Sequence, residues 1–159
     1  MNTVAQSDVS EVIFQLLKET FEGPAPIGPS AFIEKGTGLF QTLEGVSAEL
    51  ASTPARAEGS TVAAHTEHIR FYLAVHHKLM LSVAEHVDWT ESWRIKTVDA
   101  AEWDDLKERL QIGYGTVMDH LRNLDRWGEN EISLAMSIIA HTAYHLGAIR
   151  QLVLVAQKN

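Results

Sequence analysis

The chain contains no cysteine, which excludes a disulfide framework and every thiolate metal site. Any metal must therefore sit on histidine, aspartate or glutamate. Basic residues are in the minority, 13 against 21 acidic, for a formal charge of −8 with histidines neutral. A surface this acidic repels phosphate backbones, so nucleic acid is not an expected partner. The opening MNTVAQSDVSEVIFQ lacks a basic region followed by an apolar core and does not read as a signal peptide. No apolar run approaches the ~20 residues of a membrane span. The expectation is a soluble, cytoplasmic protein with no membrane partner. GxSxG, HExxH, P-loop and GxGxxG motifs are all missing, which removes nucleophile-elbow hydrolases, thermolysin-type zincins and the common nucleotide folds.

What is present is a length of 159 residues, which suits a single domain spanning residues 1–159. A domain of this size buries roughly 70% of the surface its unfolded chain exposes and needs no staples. It also has eight histidines, whose placement decides what they mean.

Apolar periodicity predicts an all-α fold. A first helix runs from about Val9 to Phe21, with Ser10 or Asp8 to cap it, and ends where Gly23, Pro24, Pro26, Gly28 and Pro29 forbid helix. A second is predicted from about Ser30 to Val46, capped by Ser30, with Glu34 in its first turn and Phe32, Leu39, Phe40 and Leu43 on its apolar side. A third, from about Ser60 to His86, presents Val62, Ile69, Tyr72, Leu73, Leu79, Met80 and Val83. The connection that follows, VDWTESWRIKTVDA, exceeds the two to eight residues usual between antiparallel neighbours and implies a crossover between parallel middle helices. The fourth helix opens with a capping box, Asp99 and Glu102, and stops at Gly128. The fifth, from about Glu131 to Ala156, aligns Leu134, Ile138, His141, His145, Ile149 and Leu152 in one stripe.

Within that stripe, His141 and His145 are four residues apart, so their Cβ atoms lie ~6 Å apart on one helix face. Two imidazoles so placed can converge on one ion at nitrogen–metal distances of ~2.1 Å. Burying them on an otherwise apolar face carries a desolvation cost unless each finds a partner, which a metal and an outer acceptor supply. The alternative is two core histidines, each hydrogen-bonded to a neighbouring helix. A second cluster, His65 and His68, opens the third helix, and either could face the pair. His76 lies more than ~10 Å from His68 along the helix, and His77 points another way. These two, with His86 and His120, are given no metal role. Three histidines without a fourth protein ligand would leave an open coordination position. Glu44, Glu67 and Asp119 are candidate bases beside it. The tryptophans Trp89, Trp93, Trp103 and Trp127 read as packing anchors, with Trp89 or Trp93 a candidate wall of a substrate pocket.

The segment Thr61-Val-Ala-Ala-His-Thr-Glu-His68, together with His141-Thr-Ala-Tyr-His145-Leu-Gly147, resembles the DinB superfamily. Members carry a hydroxylated residue seven positions before a metal-binding histidine, and an HxxxH-x-G pattern in the last helix. The resemblance covers roughly Ser30 to Ala156. It implies a four-helix bundle of up-down-down-up course (residues 30–156) to which the N-terminal helix and loop (residues 1–29) are an addition. It implies metal ligands His68, His141 and His145, a zinc- or nickel-type divalent ion, and a homodimer. Proteins of this kind include metal-dependent hydrolases and transferases that use a low-molecular-weight thiol on a small-molecule substrate. Gly147 is expected to let a helix or ligand approach closely. The function that follows is a metal-dependent thiol S-transferase or hydrolase. A non-catalytic or stress-related metal-binding bundle is the alternative, and a metal-free bundle with packed histidines is the remaining one.

Overall fold

A computed structural model describes residues 5–157, which are helical with no strand among them. The helices are α1 (Gln6–Glu22), α2 (Leu39–Glu44), α3 (Ala48–Ala51), α4 (Val62–Met80), α5 (Ala100–Arg122) and α6 (Glu129–Ala156). A short 3-10 helix, Trp89–Trp93, lies between α4 and α5. The four long helices α1, α4, α5 and α6 share one core, from Ile13, Leu17 and Phe21 through Ile69, Leu73, Leu106 and Leu110 to Ile138 and Ile149. Although the sequence resemblance treats residues 1–29 as an addition, Leu17 and Phe21 of α1 are fully buried, and α1 packs against α6.

The helix expected from Ser30 to Val46 is reduced to Leu39–Glu44. The reason is long-range. Glu19 of α1 accepts hydrogen bonds from the backbone N–H groups of Ala31, Phe32 and Ile33 at 2.7–2.9 Å, pinning that stretch as a loop. Burial opposes the charge on Glu19, but those three donors hold its carboxyl below the ordinary value. Gly36 then turns with φ +79°, which ends any helical run. Gly38 caps α2 and presses on the backbone of Gly23, where a Cβ would collide. Phe32, expected on an apolar face, is 45% exposed.

The third predicted helix also ends early, at Met80 rather than His86. Ser82 takes the left-handed conformation at φ +59°. The N–H of Val83 donates to Lys78 O at 2.9 Å and that of Ser82 to Leu79 O at 3.0 Å, the paired bonds of a Schellman stop with serine where glycine is usual. The chain then returns along α4. Trp89 lies against Phe71 and Tyr72, Trp93 against His65 and His68, and Lys96 accepts from Thr61 Oγ1 at 2.7 Å. Having come back to the start of α4, the chain enters α5 parallel to it, so that Leu73 meets Gly113 and His77 meets His120. The Asp99–Glu102 capping box opens α5 with both bonds at 2.9 Å. Helix α6 runs antiparallel to α4, placing His65 beside His145 and His68 beside His141.

By length and composition α6 is apolar enough to cross a membrane, contrary to the reading that no run approaches a span. In the fold its Ala135, Ile138, Ile139, Leu146 and Ile149 face the core.

Candidate metal centre

The site is built where α4 and α6 cross and the returning connection lies over them. Thr61 caps α4, its Oγ1 accepting from the Ala64 N–H at 3.1 Å, which starts the helix two turns before His68. The i, i+4 spacing on α6 sets the rings of His141 and His145 4.5 Å apart at their centroids. Antiparallel packing brings His68 between them, with its ring 4.9 Å from His141 and 4.7 Å from His145. One ring nitrogen from each of the three lies within 4.8 Å of the others. His68 Nε2 and His141 Nε2 face each other at 3.0 Å. Nitrogens that share one ion at ~2.1 Å each stand roughly 3.0–3.4 Å apart, so this spacing suits a common ion.

The outer contacts set which nitrogens face inward. Ser92 Oγ donates to Trp89 O at 2.7 Å, so it accepts from His68 Nδ1 across 2.7 Å. That places the proton of His68 on Nδ1 and leaves the Nε2 lone pair toward His141. His145 shares a hydrogen bond with His65 through their Nδ1 atoms at 2.9 Å, which leaves its Nε2 for a ligand role. His65 is thus the orienting partner of His145, not a member of the three. His141 lacks such a bond; its Nδ1 is buried with no hydrogen-bond partner. Its ring is held by stacking on Tyr72, with centroids 3.6 Å apart and planes 8° apart. Tyr72 stacks in turn on His76 at 3.8 Å. Trp93 lies flat on His68 at 4.2 Å and 22°.

These rings are poor bases. Burial, then the neighbouring His68 and His76, pushes His141 down to about 4. Burial, then His141, His65 and His68, pushes His145 down to about 3. Burial also lowers His68. A metal takes only neutral imidazole, and depressed proton affinity keeps all three in that form at neutral pH. Three neutral, converging imidazoles, two buried and one half-buried, fit a divalent ion of the borderline class that imidazole suits.

The three ligands expected from sequence, His68, His141 and His145, are the ones brought together. The candidate bases are elsewhere. Glu67 is buried and tied to Arg70 by two hydrogen bonds of 2.7 Å. Glu44 is exposed on α2, beside Asp104 and Lys107. Asp119 is exposed and paired with Arg122. Gly147, expected to admit a close approach, has open space where a Cβ would stand. Sequence reasoning missed Ser92 and the Tyr72 stack. Tyr72 follows His68 by four residues, a spacing that puts both on one face; Ser92 in the returning connection carries no comparable signal. Compared with protein-family models, curated proteins and solved structures, the chain matches none.

Proposed function

We propose that this protein is a DinB-like bundle of up-down-down-up course that holds one divalent ion, zinc or nickel, on His68, His141 and His145, and that it transfers a low-molecular-weight thiol to a small electrophilic substrate. The observation that carries the reading is the convergence of three imidazoles, two buried and that of His141 half-buried, with no fourth protein ligand grouped with them among the described residues. When bound, the ion supplies an open position at which a thiol loses its proton without a protein base. Ser92 fixes the tautomer of His68 through Nδ1, and His65 orients the ring of His145 through their Nδ1 contact. Tyr72 and Trp93 hold the rings of His141 and His68 in plane.

Thiol transfer is favoured over hydrolysis because Glu44, Glu67 and Asp119, the carboxylates that would serve as base, are exposed or committed to ion pairs, and none is grouped with the three imidazoles. The test follows the pH profile of a thiol reacting with a chromogenic aryl halide in the presence of zinc- or nickel-loaded protein. The expected result is a profile displaced to lower pH by wild type and left at the free thiol's position by His141→Ala. An unmoved profile with loaded wild type would reject thiol activation.

A further inference from the structure

Carboxylates line several of the cavities among the described residues. The one beside α2 and α5 has Glu44, Asp104 and Glu108 against Lys107. The one under the returning connection has Glu102 and Asp105 against Arg109. A cavity of about 360 Å³ between the loop before α4 and the C-terminal part of α6 is different. Arg56 is its one charged lining residue. Ala148, Leu152 and Val155 form an apolar wall, and His65 closes one side. Arg56 makes no ion pair with any described residue. Its position is set by a turn in which the Gly59 N–H donates to Arg56 O at 2.9 Å. Glu58, the acidic residue of that turn, is exposed and is not part of the lining.

We propose that this cavity binds a small organic anion, with its carboxylate on the Arg56 guanidinium, its apolar body on Leu152 and Val155, and its inner end at His65. A guanidinium without an internal partner takes a carboxylate through two parallel hydrogen bonds. On a chain of net charge −8, the general field repels anions, so recognition of one depends on a local cation of this kind. His65 belongs both to this cavity and to the metal centre, where it bonds His145 at 2.9 Å. A ligand seated here has its inner end one residue from His145. Assigning the cavity as the substrate's seat rests on the metal reading above; the binding of an anion does not.

The test is calorimetric titration of the full chain with octanoate, and with octylamine as a cation on the same apolar body. Wild type is expected to bind octanoate saturably, and octylamine at least roughly tenfold more weakly. Arg56→Glu, an exposed-loop change, and Val155→Glu, which adds a carboxylate on the opposite wall, should each weaken octanoate by about the same factor. His141→Ala lies outside the lining and should bind octanoate as wild type does, even with its metal lost, which separates this proposal from the metal reading. Absence of octanoate binding to wild type, equal affinity for octylamine, or full affinity in Arg56→Glu would overturn the proposal.

Discussion

Between α1 and α5 the interior is aromatic and fully partnered, whereas between α4 and α6 it is crowded with imidazoles that lack enough partners. In the first seam Phe21 stacks on Tyr114 at 4.6 Å, Tyr114 donates to Glu22 at 2.5 Å, and Trp103 donates from its indole to Val46 O at 2.7 Å. In the second, His145 touches His65, His68 and His141, His68 touches His141, and one buried nitrogen of His141 has no hydrogen bond. A chain optimised only for stability would fill that seam with leucine. The contrast separates what holds the bundle together from what the bundle holds.

The largest expected effect is on the aromatic seam. Phe21→Ala should cost about 3–5 kcal/mol in denaturant unfolding, with metal content per folded chain unchanged. His141→Leu should do the reverse. Replacing an imidazole that has an unpartnered buried nitrogen with apolar volume should leave the metal-free protein within about 1 kcal/mol of wild type, while metal retention is abolished. If His141→Leu destabilises the metal-free protein as strongly as Phe21→Ala, the two seams do not differ in the way described.

Acid sharpens the same comparison. In the unfolded chain His141 and His145 take up protons near their ordinary value of 6.5, but in the fold only near about 4 and about 3. The unfolded state therefore binds more protons across that window, so stability of the metal-free protein falls as pH drops from 6.5 toward 3 and levels below. Thermal melts should show this slope in wild type and in Phe21→Ala, and a shallower one in His141→Leu. Identical slopes in all three would remove these histidines as its source.

The smallest effects test the helix ends and faces. Ser82→Gly relieves a left-handed serine at the stop of α4 and should add about 1 kcal/mol. Gly147→Ala meets no neighbour in the fold and should add about 0.5–1 kcal/mol through helix propensity. Loss of stability in Gly147→Ala would mean that something packs on that face.

The legible parts of the fold were those governed by local rules. The capping box at Asp99, the stripe on α6 and the i, i+4 pair of histidines are all set by residues within a turn or two of each other. Local rules left His65 and His68 both open, and His68 was singled out only by the resemblance, which counts seven residues on from Thr61. The loop at residues 30–38 was not, because its backbone donors are taken by Glu19, more than ten residues earlier in the chain. The end of α4 was missed because a serine does what glycine ordinarily signals. Ser92 reaches His68 only because the crossover returns along α4, and a connection's length shows that it crosses without showing what it passes.

The most direct test of the central claim is metal content by mass spectrometry on tag-free protein, beside a His141→Ala/His145→Ala double variant. The account predicts about one zinc or nickel ion per wild-type chain and none in the folded variant. A wild type that stays empty after metal-replete growth, or a variant that holds as much metal as wild type, would contradict it.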